Sequence, residues 1–246
     1  MSDQTVKEAF DDEIAPKKGL SGGVRSSSKH DSGPKHVSGE AVYIDDIMEP
    51  FGTLHLAPGA ATIAHGKIKK MDLSKVRSAP GVVCVLTADD IPGVNDVSPA
   101  HTHDEPVLPD GLVQFYGQPV FCVAAETRAQ ARAAAKLADI EYEELPAVLS
   151  IQEALEKQQF VAPPHVMKQG DAKSALARAK HRHSGRMDIG GQDHFYLEGQ
   201  ISFAIPGEDG DVFLHCSTQH PSEVQHNIAN VLGRPANAVT VEVRRM

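Results

Sequence analysis

From about residue 36 onward, short apolar runs alternate with stretches of helical period. Two runs rich in valine predict buried strands, and a run that alternates apolar and acidic residues predicts a half-buried strand. These strands are expected at 82–86, 120–124 and 140–144, and the helices around them at 72–79, 128–138 and 150–155. Strands and helices joined by short connections are typical of an α+β or α/β unit, which we expect to end near residue 160.

Local signals support several of these elements. Thr127 is the predicted N-cap of the alanine-rich helix at 128–138, and Asp72 is the predicted N-cap of the helix at 72–79. Residues 92–111 are rich in Pro, Gly, Asp and His, which predicts a long loop.

A second set of elements begins after a linker predicted at 161–169. Gly170 and Asp171 open a short predicted helix, and Pro221 and Gly233 are well placed to begin and end a longer one. The predicted strands of this unit lie near 186–190, 200–205, 211–216 and 239–243. Because the last strand is followed at once by Met246, with no covering element, we expect the natural domain to continue beyond it.

Residues 1–35 are rich in Ser, Gly, Lys and Asp, which predicts a flexible polar tail. The first 30 residues lack the basic start and apolar region of a secretory signal, so a cytoplasmic location is expected. No run of about 18 apolar residues is present, and no membrane partner is expected.

Composition narrows the class of protein. A chain of 246 residues with 41% hydrophobic residues is long enough for one large domain or two smaller ones. The net charge of −9 repels the phosphate backbone, which argues against nucleic-acid binding.

The three cysteines are far apart, and no pair has C-x-x-C spacing. A zinc knuckle, a local iron–sulfur motif and a disulfide framework therefore lack their ligands. Cys84 and Cys122 lie in apolar runs, where cysteine usually acts as a small hydrophobic residue.

Two H-x-H pairs, His101 with His103 and His181 with His183, suggest a metal site. Each pair needs a third ligand that the local sequence does not supply, so solvated loop histidines are the preferred interpretation. An independent metal binder remains the alternative. Nucleotide-binding and nucleophile motifs such as G-x-G-x-x-G and G-x-S-x-G are absent from the sequence.

Three stretches mix small, polar and aromatic residues in ways that packing alone does not require. They are HVSGEAVYIDD at 36–46, FYGQPVFCVAAET at 115–127, and GGQDHFYLEGQ at 190–200 together with STQHPSEVQ at 217–225. These stretches resemble the large, molybdenum-binding subunit of the xanthine dehydrogenase and aldehyde oxidase family, over roughly 36–246, and favour its xanthine dehydrogenase branch.

The resemblance implies an α+β fold in two parts. Residues 36–160 would form an a/b hammerhead domain, and residues 170–246 would form the N-terminal, incomplete part of a molybdopterin-binding domain. The family hydroxylates hypoxanthine and xanthine to urate and passes electrons through 2Fe-2S clusters and FAD to NAD. In the family the dithiolene of the pterin holds the molybdenum, which explains how such a protein can lack a Cys/His ligand motif.

The resemblance assigns one cofactor-binding residue, Gln219, whose amide would lie beside the molybdenum and donate a hydrogen bond without becoming a metal ligand. Gln192, Tyr196 and Glu198 are assigned a structural role. The family's catalytic base lies further along the chain, so Glu198 is not interpreted as a base and no catalytic residue is expected here.

The main departure from the family pattern is at Met246, where the family continues into a glycine-rich G-G-G-F-G-G-K-E segment. We therefore expect a chain that is inactive by itself and binds no cofactor alone. Its expected partners are the remaining part of the subunit, an Fe–S/FAD subunit and, in the complete enzyme, the purine substrate. The alternative is a non-catalytic docking module for that Fe–S/FAD subunit.

Overall fold

The computed structural model describes residues 29–30, 32–99 and 102–245. Most of the tail expected at 1–35 lies outside these residues. The first described element is helix α1, Gly33–Ser38, which ends at Gly39 in a left-handed conformation with φ 78°. Glycine suits this position because it has no Cβ to oppose a positive φ.

The described ranges contain nine strands and six α-helices. The strands are β1 His55–Ala60, β2 Gly66–Asp72, β3 Val82–Leu86, β4 Leu112–Val113, β5 Pro119–Ala125, β6 Asp139–Glu144, β7 Ser202–Pro206, β8 Val212–Cys216 and β9 Val239–Glu242. The helices after α1 are α2 Ser74–Arg77, α3 Arg128–Ala135, α4 Ile151–Glu156, α5 Ala172–Arg178 and α6 Pro221–Leu232. None of the helices in these ranges is long and apolar enough to cross a membrane.

Two antiparallel sheets form the first half of the fold, in the orders β1-β5-β3 and β4-β2-β6. The main core lies around β5, where Phe121 and Val123 are fully buried together with Val76 and Val113. Burying a side chain of this size stabilises the fold by about 1.5–3 kcal/mol. The apolar run at 120–124 is therefore the central strand of its sheet, as its valines predict.

Helix α3 packs on β1 and β5 through small side chains. Ala131 and Ala134 are buried, so the helix can approach the sheet closely. The Thr127 hydroxyl accepts a hydrogen bond from the Gln130 N–H at 3.2 Å, which confirms the predicted N-cap. Such a cap contributes about 1 kcal/mol.

The strand at 82–86 was expected to be buried, and this expectation is wrong. Strand β3 lies at the edge of its sheet and pairs only with β5. Val85 alone is buried, whereas Val83 is 56% exposed and Cys84 is exposed. Cys122 on the central strand is partly covered, and this burial raises the pKa of its thiol.

The second half of the fold contains the sheet β7-β8-β9. Strand β8 is antiparallel to β7 and parallel to β9, and helix α6 connects β8 to β9. This is a β-α-β unit, in which the crossover helix covers the sheet. The strand expected near 186–190 is not formed: these residues are exposed and pair with no strand in the described part of the chain.

Candidate functional site

Gln219 lies in the turn between β8 and α6, directly beyond the carboxyl end of β8. Because β8 and β9 are parallel, the chain that leaves β9 emerges at the same edge of the sheet, and there it carries Arg245. The crevice beyond the carboxyl ends of parallel strands is the usual ligand position in α/β units. The fold therefore brings the polar side chains of Gln219 and Arg245, which are far apart in the sequence, to the same edge of the sheet.

A cavity of about 460 Å³ lies at this edge. Its lining comes from three parts of the chain: the turn after β8 with Arg245, the irregular segment before β7, and α1 with the region just after it. The lining residues are Ser217, Thr218, Gln219 and Arg245; His194, Tyr196, Leu197, Glu198 and Gln200; and His36 and Tyr43. A cavity of this size matches small-molecule sites, which span about 300–1,000 Å³.

Ser217 holds two walls of the cavity together. Its hydroxyl donates to the Gly199 carbonyl at 2.8 Å and accepts from the Ile201 N–H at 2.9 Å. The turn itself is closed by the His220 N–H, which donates to the Thr218 hydroxyl at 3.0 Å. These bonds fix the backbone on both sides of Gln219.

Gln219 is exposed, and its side chain makes no hydrogen bond to the described residues. It also lines a second cavity of about 490 Å³, which shares Ser217 and Thr218 with the first. An amide has two N–H donors and an acceptor oxygen, so Gln219 can offer hydrogen bonds to a ligand in either cavity.

Arg245 lines the cavity and has one buried nitrogen without a partner among the described residues. Its Nη1 donates to the Ser32 hydroxyl at 3.2 Å and to the Arg244 carbonyl at 2.8 Å. Its Nε is buried and has no hydrogen-bond partner among the described residues. A buried donor without a partner is costly, which indicates that an acceptor from outside this part of the chain belongs there.

Glu198 is half-buried and is already engaged. Its carboxylate accepts a hydrogen bond from the backbone N–H of Ile44 at 2.8 Å, in the short 3-10 helix Ile44–Asp46. Nearby, the Tyr43 hydroxyl and His36 Nδ1 are 3.0 Å apart. These contacts tie the cavity wall to the first half of the chain.

The other residues that the sequence singled out lie in different parts of the structure. Tyr196 lines the cavity, whereas Gln192 is exposed and does not line it. Of the H-x-H pairs, His181 and His183 are exposed, and His101 lies outside the described residues. His103 Nδ1 lies 2.5 Å from Asp96 Oδ2. Within the described ranges, no group of three or more His, Cys, Asp or Glu residues is arranged to hold a metal ion.

Sequence reasoning did not single out Arg245 or His36 as site residues. His36 lies in HVSGEAVYIDD, one of the stretches that carried the family resemblance, and Arg245 lies in VEVRRM at 241–246. The available signal for Arg245 was its place just beyond a strand predicted at 239–243. That signal becomes informative only when this strand is known to run parallel to β8.

Two family models match successive parts of the chain. Residues 38–146 match the a/b hammerhead domain of aldehyde oxidase and xanthine dehydrogenase, and residues 153–246 match the molybdopterin cofactor-binding domain. The chain belongs to the xanthine dehydrogenase and aldehyde oxidase family. The family expected from the three sequence stretches is thereby confirmed.

Curated relatives are similar in sequence over most of this chain. The xanthine dehydrogenase of Dictyostelium discoideum is 41% identical over 89% of this chain, and the xanthine dehydrogenase/oxidase of Gallus gallus is 42% identical over 88% of it. The chain spans 16% of the length of each of these two curated relatives.

A solved structure confirms the fold class. The aldehyde oxidoreductase from Desulfovibrio gigas superposes with a TM-score of 0.74 at 29% identity, covering 87% of this chain and 26% of that one. The α+β hammerhead followed by part of a molybdopterin-binding domain, expected from the sequence, is the observed architecture.

Proposed function

We propose that this chain is part of the molybdenum-binding subunit of a xanthine dehydrogenase, which hydroxylates hypoxanthine and xanthine to urate. The observation that carries the proposal is the cavity at the carboxyl ends of β8 and β9, where Gln219 and Arg245 meet. The purine branch is favoured by a small margin, because identity is 41–42% to the two xanthine dehydrogenases and 37–38% to two aldehyde oxidases of Cavia porcellus.

The cavity fits the molybdopterin cofactor by the chemistry of its donors. When bound, this group supplies a redox-active metal that carries its own sulfur ligands, so the protein need not offer a Cys or His cluster. What the protein has to offer is hydrogen bonds that orient the group. The Gln219 amide is a donor of this kind, and Arg245, which also lines the cavity, has a buried Nε–H without a partner among the described residues.

Glu198 supplies the one carboxylate that the described residues give to the cavity lining, and one of its oxygens accepts from the Ile44 N–H. We interpret this carboxylate as structural, so the proposal includes partners. The remaining part of the subunit would supply a base and further cofactor contacts, and an Fe–S/FAD subunit would pass the electrons to NAD. By itself this chain would bind no cofactor and oxidise no purine.

The test is the rate of xanthine oxidation in the complex of this chain with those partners. Replacing a group that orients a metal centre typically costs ~10–100-fold in activity or affinity. Gln219→Ala should therefore lower the rate by this amount, whereas Gln152→Ala, an exposed change on α4, should leave it unchanged. Oxidation of an aromatic aldehyde in preference to xanthine would contradict the purine assignment.

The alternative, a non-catalytic docking module, is favoured by one observation. Between residues 187 and 197 the chain forms no helix or strand and exposes Met187, Ile189, Phe195 and Leu197. An exposed apolar segment marks an interaction surface. A complex that co-purifies with the Fe–S/FAD subunit without molybdenum would support the docking function over the catalytic one.

A further inference from the structure

We infer that Gly93, in the first half of the chain, positions Gln219 through helix α6. The loop around Gly93 holds the C-terminal end of α6, and Gln219 precedes the N-terminal end of the same helix. This inference rests on the proposed role of Gln219 in the cofactor site. It adds a residue that lies outside the molybdopterin-binding domain and outside the cavity.

The contact between the loop and the helix is made by the backbone. The Gly93 N–H donates to the Val231 carbonyl, and the Val94 N–H donates to the Asn230 carbonyl, both at 2.9 Å. The last carbonyls of a helix have no partner within the helix. Here two of them are satisfied by a loop of the hammerhead domain, so the two domains are joined at this helix end.

Only glycine fits in the loop at this point. A Cβ on Gly93 would lie 2.0 Å from the Asn230 carbonyl oxygen and 2.5 Å from the Gly233 nitrogen. Both are backbone atoms that cannot rotate away. Gly233 itself ends the helix in the left-handed conformation, with φ 63°. Any side chain at position 93 must therefore push the loop and the helix end apart.

A displacement of the C-terminal end of α6 is expected to reach Gln219 because the helix is short and unbroken. The helix is one unbroken segment of 12 residues, about 18 Å long at 1.5 Å per residue. Ala229 is buried, and Gln225 Nε2 donates to the carbonyls of Ala236 and Val239 at 3.1 and 2.7 Å. Such a helix moves as a rigid rod.

Glu198 and Arg245, which line the cavity, contact Ile44 and Ser32 in the first half of the chain, and these contacts do not pass through α6. A shift of α6 relative to the first half of the chain is therefore expected to change the position of the Gln219 amide relative to these two contacts. A misplacement of about 1 Å can cost ~10²-fold in rate at a catalytic site.

The experiment compares the full chain with Gly93→Ala and Gly185→Ala by NMR, without cofactor. Gly185 is a matched control because an added Cβ has no neighbour within 4 Å. The side-chain amide signal of Gln219, identified by its loss in Gln219→Ala, reports the position of the residue. Amide exchange at Val94 reports whether the loop still contacts the helix.

We expect Gly93→Ala to speed exchange at Val94 and to shift the Gln219 side-chain signal, and Gly185→Ala to do neither. If Gly93→Ala does not fold, Val94→Pro takes its place, since it removes one N–H donor and adds no Cβ at position 93. In Val94→Pro, amide exchange at Gly93 reports whether the loop still contacts the helix.

An unchanged Gln219 signal in a variant with a loosened loop would overturn the inference, as would an equal shift in Gly185→Ala. Because no cofactor is present, this result is independent of the xanthine assay of Gln219→Ala, which tests the proposed function itself.

Discussion

Glu198 accepts a hydrogen bond from the backbone N–H of Ile44 at 2.8 Å, across 154 positions of sequence. A carboxylate in a cofactor-binding domain invites interpretation as a catalytic base. We interpret it as structural instead, because its contact with Ile44 holds the irregular segment before β7 against the hammerhead domain. The cavity around Gln219 depends on this contact because Glu198 forms part of its wall.

Removing the acceptor at position 198 should destabilise the chain. Glu198→Ala leaves the partly buried Ile44 N–H without a partner, which costs about 1–3 kcal/mol. Glu198→Gln keeps an acceptor oxygen and should lose less. Urea denaturation measures both, with Glu156→Ala as an exposed acidic control. Equal losses for Glu198→Gln and Glu198→Ala would show that the hydrogen bond is not the cause.

The loop from Asp96 to Glu105 should open in acid. The Ser98 hydroxyl and the Ser98 N–H donate to the Asp96 carboxylate at 2.5 and 3.0 Å, and together with His103 they lower the pKa of Asp96 to about 2. An unfolded aspartate has a pKa of about 3.9. Since the folded pKa is the lower one, the carboxylate stabilises the loop above about pH 4, and this contribution is lost between about pH 4 and pH 2.

Amide exchange at Ser98 and Glu105, followed across this range, measures the opening. In Asp96→Asn these amides should already have little protection near neutral pH, relative to their intrinsic exchange rates, and this protection should not change with pH. Asp110→Asn, an exposed change nearby, should behave as the unmodified chain. A transition in Asp96→Asn as steep as in the unmodified chain would assign the acid sensitivity to another group.

Gly59 on β1 should not tolerate a side chain. A Cβ there would lie 2.0 Å from the Phe121 ring, and Phe121 is 1% exposed and cannot move outward. Gly59→Ala should cost about 1–3 kcal/mol by overpacking. Adding Phe121→Leu to Gly59→Ala should recover part of the loss, in thermal unfolding compared with Gly190→Ala, which has open space. If the stability losses of Gly59→Ala and Phe121→Leu simply add in the double variant, a direct clash between the two side chains is contradicted.

Thr127 should be replaceable only by residues that can cap a helix. Thr127→Ala removes the acceptor for the Gln130 N–H and should cost about 1 kcal/mol. Thr127→Ser should retain most of the stability. Chemical denaturation of the two variants tests this, and equal stability of Thr127→Ala and the unmodified chain would show that the cap contributes nothing.

The sequence pattern predicted those elements that are determined by neighbouring residues. Thr127 marks the start of α3, and Pro221 and Gly233 bound α6, because caps and helix ends depend on neighbouring residues. Strand β1 was not predicted, since HLAPGA contains alanine, proline and glycine, which have low strand propensity. It is a strand because it pairs with the apolar strand β5, a long-range contact.

Only the part of the site that depends on local sequence was predicted. Gln219 was found through a motif, S-T-Q before a helix, which is local in sequence. Arg245, Gly93 and Ile44 were not, because their relation to Gln219 depends on the parallel pairing of β8 with β9 and on contacts between the two domains. The exposure of Cys84 was missed because an apolar run does not distinguish a central strand from an edge strand.

Molybdenum content is the measurement that tests the central proposal most directly. The chain would be co-expressed with the remaining part of the subunit and an Fe–S/FAD subunit, purified as a complex, and analysed for metal beside its Gln219→Ala variant and the chain alone. The proposal predicts stoichiometric molybdenum in the complex, ~10–100-fold weaker retention of molybdenum in Gln219→Ala, and none in the chain alone. A complex that assembles and lacks molybdenum, or one that retains it equally well in Gln219→Ala, would contradict the assignment of this cavity as the cofactor site.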